Sequence, residues 1–327
     1  MGMTESNKAS TFLSTSHKGW IMDAIARESA AAIGAHPKFQ YVAVSRRELL
    51  SPSNFLTRFS PKFSSTNLFM HHSTFIEIAN RHKLESFHNS VFVTHFDKPT
   101  SEILGQLRKL RDANRILVQN TTTARSIQLL GFDAKNISVV YGAVNRDFYF
   151  PDSRKSVNQD PFVLIVGDCK PRKNPKLIEQ TIDSMPGIQF IIHGKGWQSY
   201  TTLGSAPRKN VLLVDFNLAR NPELMRAAST VLSLAENEGG PIPLLEALAS
   251  GTPIVATDTG FSSDLISCSN GVLLSRLPSV NEVTAAIRKS IGLKKDVSSM
   301  DLLEGRFTWN ELGLQLYKGA EIGNHDT

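Results

Sequence analysis

The chain has 327 residues, of which 41% are hydrophobic and 20% are charged. This composition is typical of a soluble globular protein, and the length favours two domains over a single core. No apolar run approaches the roughly 18 to 20 residues that span a bilayer, and the first residues lack the pattern of a signal peptide. The only cysteines, Cys169 and Cys268, are too few for a disulfide scaffold or a thiolate metal site, so we expect a cytoplasmic protein.

The net charge of +6 is unevenly distributed. Residues 1–150 contain 18 Lys and Arg against 11 Asp and Glu, a balance of +7, whereas residues 151–327 contain 18 against 19, a balance of −1. This asymmetry indicates an anionic partner for the first half, such as a lipid surface, an acidic acceptor or nucleic acid, unless the surface is simply solvated. Because no nucleic-acid-binding module is present, we expect no nucleic-acid partner.

The first half alternates short apolar strands with helical patterns, as doubly wound α/β domains do. Helices are predicted at residues 20–33 and 101–112. Strands are predicted at residues 11–14, 41–44, 67–70, 91–95, 116–119 and 137–141. Ligands of such sheets bind beyond the carboxyl ends of the strands, which draws attention to Gly19 after the first strand and to His95 at the end of the fourth.

A polar stretch without periodicity separates the two halves and is predicted to be a linker. The second half opens with an apolar strand, Gly167, and a basic loop that contains Arg172 and Lys173. Asn221 is predicted to cap a later helix, and an amphipathic helix closes the chain. The predicted organisation is a first domain at 1–150, a linker at 151–160, a second domain at 161–305 and a terminal helix within 306–327.

Residues 231–259 contain the strongest functional pattern in the chain, VLSLAENEGGPIPLLEALASGTPIVATDT. We expect a buried strand at 231–234, a loop with two glycines, a helix that begins near Pro241, and a second strand at 253–256. Proline suits a first helical turn because its missing N–H would have no partner there.

The loop before this helix is suited to a ligand that contains both phosphate and sugar. Gly239 and Gly240 have no Cβ, so a ligand could approach the backbone, and a helix N-terminus attracts phosphate. Glu238 and Glu246 lie eight positions apart, in the loop and within the helix. Carboxylates repel phosphate but accept hydrogen bonds from sugar hydroxyls, so both side chains are expected to face a ligand across the helix start.

The run from Glu238 to Glu246, followed by ALASGTPIVATDTG, resembles the E-x7-E signature of the retaining glycosyltransferases of family 4. The resemblance implies the GT-B fold, in which two Rossmann-like doubly wound domains face a cleft and a C-terminal helix crosses back to the first domain. It also implies transfer of a hexosyl or pentosyl group from a nucleoside diphosphate sugar to a glycan, lipid-linked or small-molecule acceptor. Neither a metal nor another cofactor is implied.

The same resemblance assigns roles to individual residues. The second domain would bind the donor, and the first domain would bind the acceptor. The positive charge of the first domain could also attach the protein peripherally to the inner face of an anionic membrane. The residues implied in catalysis are His95, Lys173 and Glu238. The residues implied in donor binding are Gly19, Gly167, Arg172, Gly239, Gly240, Pro241, Ile242 and Glu246.

Two departures from the family pattern keep other functions open. Asp168 stands where an arginine is usual, and the loop at Gly19 keeps only one glycine. A GT-B protein that binds a nucleotide sugar without turning it over is therefore an alternative. A nicotinamide-dependent oxidoreductase is a weaker one, because the HGKGW turn has Ser199 where the dinucleotide fingerprint needs glycine.

Overall fold

The structure of the protein is a computed structural model. It describes residues 10–14, 21–34, 39–43, 66–81, 84, 88–94, 108–151, 160–199, 201–206, 208–293 and 305–321. Of the features predicted above, Gly19, His95, most of the helix at 101–112 and most of the linker lie outside the described residues. The chain forms two compact units, here called unit 1 (Met1–Tyr141 with Trp309–Thr327) and unit 2 (Gly142–Thr308). The division falls before residue 150, where the sequence placed the end of the first domain.

The strands closely follow the apolar runs of the sequence. They are β1 (Ser10–Ser14), β2 (Phe39–Ala43), β3 (Thr66–Phe69), β4 (His88–Val93), β5 (Arg115–Val118), β6 (Ile137–Val139), β7 (Phe162–Val166), β8 (Gln189–His193), β9 (Val211–Val214), β10 (Thr230–Ser233), β11 (Ile254–Thr257) and β12 (Gly271–Leu274).

The helices lie between these strands. They are α1 (Ile21–Ala32), α2 (His72–Ala79), α3 (Thr121–Leu129), α4 (Pro175–Asp183), α5 (Thr201–Ser205), α6 (Asn221–Ala227), α7 (Ile242–Ala249), α8 (Ser262–Leu265), α9 (Val280–Ile291) and α10 (Trp309–Glu321). In the part of the chain that the structure describes, none of the helices has the length and apolar character needed to cross a membrane.

Unit 1 is built on a six-stranded parallel sheet in the order β2-β1-β3-β4-β5-β6. Apart from a half-buried first residue in each, its strands β4 and β5 are buried, as expected for a parallel sheet covered on both faces. β4 begins three residues earlier than the strand predicted at 91–95, because its polar first residues are paired. The Asn89 backbone N–H donates to Asn114 Oδ1 at 2.8 Å, and Asn89 Nδ2 donates to the Leu84 carbonyl at 2.9 Å.

Helix α10 packs against unit 1 although it lies at the far end of the chain. Its Leu312 and Leu316 are buried, which agrees with the amphipathic pattern. At Gly313 the helix comes so close to α1 that an added Cβ would lie 2.6 Å from the Ser29 carbonyl oxygen. Glycine inside a helix is unfavourable by about 1 kcal/mol relative to alanine, and here it permits this close helix packing.

Unit 2 repeats the same architecture with a second six-stranded parallel sheet, in the order β12-β11-β10-β7-β8-β9. Its core includes Ile165, Phe190, Leu232 and Val255 from the strands and the fully buried Trp197. The chain crosses from β9 to β10, at the other side of β7, so the strand order reverses beside β7. In open α/β sheets the crevice at such a reversal is where ligands bind.

Candidate functional site

The candidate site lies at the carboxyl edge of the second sheet, where the loops after β7 and β10 meet. These two strands are parallel neighbours. The loop after β7 forms a short 3-10 helix, Pro171–Lys173. The backbone N–H of Glu236, in the loop after β10, donates to the Arg172 carbonyl at 2.8 Å. This bond holds the basic loop beside the loop that leads into α7.

Two cations converge on one buried carboxylate in this region. Arg172 Nη1 lies 2.7 Å from Glu238 Oε1, and Lys173 Nζ forms an ion pair with the same oxygen. The Glu238 side chain is only 8% exposed. Burial alone would raise its pKa, but the charges of Lys173 and Arg172 outweigh burial and hold the pKa below its usual value. Glu238 is therefore ionised at neutral pH, and the cluster has one positive charge in excess.

Gly167 allows the loop after β7 to turn closely past Lys173. Its φ of 131° lies in the region that favours glycine, and a Cβ there would be 3.6 Å from Lys173 Nζ. The turn is supported from behind, because Trp197 Nε1 donates to the Gly167 carbonyl at 2.7 Å. A Cβ on Gly194 would lie 2.0 Å from that same carbonyl oxygen, so the two backbones pack directly against each other.

Asp168 adopts a structural role in this turn. It is exposed, and its Oδ1 accepts the backbone N–H of Lys195 at 3.0 Å. The residue that replaces an expected arginine thus joins the β7 loop to the β8 loop. Both cations of this basic loop, Arg172 and Lys173, face Glu238.

The start of α7 is shaped by its glycines and prolines. Pro241 is the N-cap residue, with φ −70° and ψ 94°, and Pro243 occupies the first turn. The sequence placed Pro241 itself in that turn. Behind the loop, Gly260 has a φ of 59°, and a Cβ there would lie 2.6 Å from the Gly239 carbonyl oxygen. The backbone from Gly239 to Pro241 therefore has a closely packed support.

The two prolines leave few backbone donors at this helix start. Neither Pro241 nor Pro243 has an N–H, and the Leu244 N–H donates to the Pro241 carbonyl at 2.9 Å. The donors that a phosphate could use are the N–H groups of Gly240 and Ile242. The Ile242 side chain is turned into the fold, where its Cδ1 would lie 2.9 Å from a Cβ added at Gly142.

Glu246 lies in a different environment from Glu238. It is 9% exposed, and its Oε2 accepts from Asn221 Nδ2 at 2.9 Å. It also shares a hydrogen bond with the Tyr149 hydroxyl. Burial raises the pKa of Glu246 to about 7, although the two hydrogen bonds act in the opposite direction. The described partners of its carboxylate are protein groups, and the expected contact of Glu246 with a ligand stays a prediction.

Asn221 and Tyr149 are the residues that sequence reasoning missed. Asn221 was expected to cap a helix, but Arg220 holds the N-cap position of α6 and the Asn221 side chain is fully buried. A strand that ends in a buried histidine, as β8 does at His193, was the available signal that a polar partner must lie nearby.

The structure thus brings Arg172, Lys173, Glu238 and Gly167 into one cluster, while Glu246 belongs to a separate buried network. The described residues contain no group of three or more His, Cys, Asp and Glu side chains that could bind a metal ion.

Comparison with known proteins agrees with this architecture. The structure superimposes on the lipopolysaccharide outer core galactosyltransferase WaaB with a TM-score of 0.71 at 17% identity, over 95% of this chain and 98% of that one. It superimposes on Anabaena Alr3699/HepE in complex with UDP-glucose with a TM-score of 0.72 at 15% identity, over the same shares. The chain has the GT-B fold. This confirms the predicted fold class of two parallel-sheet α/β domains.

The second half of this GT-B chain also resembles a known family in sequence. Residues 148–300 match the family described as "Glycosyl transferases group 1". The D-inositol 3-phosphate glycosyltransferase of Mycobacterium bovis is 26% identical over 181 residues, which is 50% of this chain and 38% of that protein. The match thus spans about two fifths of the length of this relative. The second half therefore resembles the group 1 glycosyltransferases in sequence, and the chain shares the GT-B fold with its structural neighbours.

Proposed function

We propose that this chain is a retaining glycosyltransferase, as in family 4, that moves a hexosyl or pentosyl group from a nucleoside diphosphate sugar to an acceptor. The observation that carries the proposal is the convergence of Arg172 and Lys173 on Glu238, beside the loop that opens α7. These residues lie within the stretch that matches the group 1 glycosyltransferases.

The cluster is suited to exchange one anion for another. A donor diphosphate that approaches the loop would compete with Glu238 for Lys173 and Arg172. Departure of the nucleoside diphosphate concentrates negative charge on the β-phosphate, so cations aimed at that oxygen act mainly in the transition state. Removal of one well-placed donor of this kind costs about 2.7 to 4 kcal/mol of barrier, or roughly a hundred- to a thousandfold in rate.

The glycine loop would hold the donor through its backbone. Gly240 and Ile242 supply N–H groups at the positive end of α7, and Gly167 and Gly239 allow close approach. Released from its cations, Glu238 would accept hydrogen bonds from the transferred sugar, and Glu246 from hydroxyls of the nucleoside. The roles of His95 and Gly19 in this mechanism rest on the family resemblance alone.

The acceptor is proposed to be a carbohydrate or a lipid-linked glycan. Among the structural neighbours, Alr3699/HepE was crystallised with UDP-glucose and the pneumococcal O-GlcNAc transferase GtfA with UDP and GlcNAc. We propose a cytoplasmic enzyme that needs no metal, held by its basic first half at an anionic membrane. We expect salt-sensitive binding to anionic vesicles, and its absence would refute the membrane attachment. We also expect turnover that persists in EDTA, and its loss would refute independence from metal.

An inactive nucleotide-sugar-binding protein is the second candidate. It is favoured by Asp168, whose negative charge stands where a cation would help to bind diphosphate and whose side chain serves the turn instead. Turnover with any pair of donor and acceptor would exclude it.

The proposal is tested by a thermal-shift screen against UDP, GDP, ADP, dTDP and their sugar conjugates. A ligand present at a hundred times its dissociation constant adds about 2.7 kcal/mol to the free energy of unfolding, which raises Tm measurably. We expect one nucleoside diphosphate to stabilise the wild type and to lose that effect in Lys173→Met. The anomeric configuration of the product, followed by NMR, tests retention. A folded wild type that no nucleotide stabilises would refute donor binding.

A further inference from the structure

A continuous chain of hydrogen bonds connects the loop after β9 to Glu246. The backbone N–H of Asn217 donates to His193 Nε2 at 2.8 Å. Since Nε2 accepts, it carries no proton, and the neutral ring must carry its proton on Nδ1. His193 Nδ1 lies 3.1 Å from Asn221 Oδ1, so this N–H donates to the amide oxygen. Burial, which lowers the pKa of His193, favours the neutral ring that this arrangement requires.

The orientation of the Asn221 amide follows from that of the histidine. With Oδ1 occupied by His193, the amide nitrogen faces the other way and its two N–H groups serve two acceptors. They donate to Glu246 Oε2 at 2.9 Å and to the Tyr149 hydroxyl oxygen at 2.9 Å. Both ends of the Asn221 side chain are therefore used, and the amide cannot flip without breaking bonds at each end.

The remaining proton in this chain belongs to Tyr149. Its oxygen accepts from Asn221, so its O–H is available to donate, and its hydrogen-bonding partner is Glu246. The carboxylate thus receives two donors, one from α6 and one from the segment before β7. Every proton between Asn217 and Glu246 is assigned by its neighbours.

We propose that Asn221 and Tyr149 are positioning residues, which fix the direction in which Glu246 accepts hydrogen bonds from a nucleotide sugar and couple it to the loop at 215–217. This inference rests on the proposed function for the identity of the ligand. The network reaches the protein surface at Phe216, whose ring stacks on His193 with centroids 4.9 Å apart and is 38% exposed. A ligand group that moves Phe216 would act on Glu246 through His193 and Asn221.

The charged groups around this network lie at its ends. The charge of Arg220 adds to burial in lowering the pKa of His193, and the charge of Arg226 opposes the rise that burial causes in the pKa of Tyr149. The described influences on Glu246 itself are burial and the hydrogen bonds from Tyr149 and Asn221. Its titration therefore reports directly on whether these two side chains donate to it.

The first experiment follows the Glu246 carboxyl without any ligand. Protein labelled with ¹³C at the glutamate carboxyl carbon is titrated by NMR, and the Glu246 resonance is identified by its loss in Glu246→Gln. We expect a midpoint near pH 7 in the wild type. In Tyr149→Phe, which keeps the ring, the midpoint should rise by roughly one pH unit because the carboxylate loses a donor. Tyr317→Phe removes a hydroxyl from α10 in unit 1 and should leave the midpoint unchanged.

Asn221→Leu provides a second test with the same expected direction, and Tyr149→Phe covers the case in which the leucine variant does not fold. An unchanged midpoint in folded Tyr149→Phe would overturn the inference, because the tyrosine would then not donate to Glu246.

The second experiment measures binding of UDP-glucose by calorimetry between about pH 5.5 and pH 9. UDP-glucose is a suitable probe because its diphosphate is esterified at both ends and does not titrate in this range. The ionised carboxylate accepts hydrogen bonds better, so affinity should fall about tenfold for each pH unit below the Glu246 midpoint. The curve should move to higher pH in Tyr149→Phe and become flat in Glu246→Gln.

The outcomes separate this inference from the proposed function. Failure of the wild type to bind UDP-glucose or any nucleotide sugar of the thermal-shift screen would refute the proposed function, and with it the donor-positioning role, whatever the NMR titration shows. Binding that depends on pH in the same way in wild type and Tyr149→Phe would leave the function standing and overturn the positioning role. A parallel shift in both experiments supports the inference.

Discussion

Replacement of Lys173 by methionine should affect catalysis and stability in separable ways. The change keeps most of the side-chain stem and removes the ammonium group that pairs with Glu238 Oε1. If Lys173 stabilises the leaving diphosphate, kcat/KM for the donor should fall by roughly a hundred- to a thousandfold. The same change leaves the buried Glu238 with Arg172 as its remaining described partner.

The cost in stability can be bounded from this geometry. Breaking a fully buried ion pair costs about 3 to 5 kcal/mol. Because Lys173 is 18% exposed and Arg172 stays 2.7 Å from the carboxylate, we expect a smaller loss of about 1 to 3 kcal/mol at pH 7. Lys176→Met removes an exposed lysine from α4 and serves as the matched control, with little expected change in either measurement.

The sign of the pH dependence follows from Glu238. Its folded-state pKa is depressed, so its ion pairs contribute stability above the unfolded pKa, and this contribution is lost as pH falls through the folded value. Urea unfolding at pH 7 and near pH 4 should therefore show a difference between wild type and Lys173→Met that shrinks in acid. A difference that stays constant across this range would refute the assignment of the stability effect to Glu238.

Three further predictions concern other parts of the chain. Gly194→Ala should lower Tm strongly or prevent folding, because its Cβ would lie 2.0 Å from the Gly167 carbonyl oxygen, and a near-normal thermal melt would contradict this packing. Gly313→Ala should destabilise unit 1 at the α10 contact with Ser29, where a Cβ has only 2.6 Å, despite the higher helix propensity of alanine; limited proteolysis should release α10. The third prediction compares the wild type with Glu246→Gln, and we expect the wild type to lose about 3 kcal/mol of stability relative to the variant as pH rises from about 4.5 to about 7. The raised pKa of Glu246 stabilises the folded state below the unfolded-state pKa, and this contribution is lost as pH rises through the folded-state pKa. Stability curves that stay parallel for the two proteins would contradict it.

The fold was largely predictable because apolar strands and helix starts leave local signals. The strands predicted at 231–234 and 253–256 each lie within one residue of their bounds in the structure, and the short strands of the first half were located within a few residues. Where β4 differs, the reason is a side chain: Asn89 extends the strand with bonds to Asn114 and Leu84, and apolar periodicity cannot register such distant partners.

The site was predictable only where its residues are close in sequence or form a motif. Arg172 and Lys173 stood out as a basic loop, and Glu238 as part of a glycine-rich helix start, but nothing local indicated that the cations would pair with that carboxylate. In the network of Glu246, the partner Asn221 lies 25 positions from Glu246 and 72 positions from Tyr149. Such contacts depend on strand order, which single-sequence patterns do not fix.

The two glutamates of the central motif are placed in opposite electrostatic environments. Glu238 has cations as partners, which hold its pKa low, whereas Glu246 has neutral donors in a buried setting, which leaves its pKa at about 7. Environments that separate the pKa values of two carboxyl groups are typical of sites in which the groups do different work. At neutral pH Glu238 is ionised and paired with its cations, which a bound diphosphate would have to take from it. Glu246 is partly protonated, and its ionised form would be the better acceptor for hydroxyl groups of the proposed ligand. Binding of a nucleotide sugar would therefore break the ion pairs of Glu238 and favour release of a proton from Glu246.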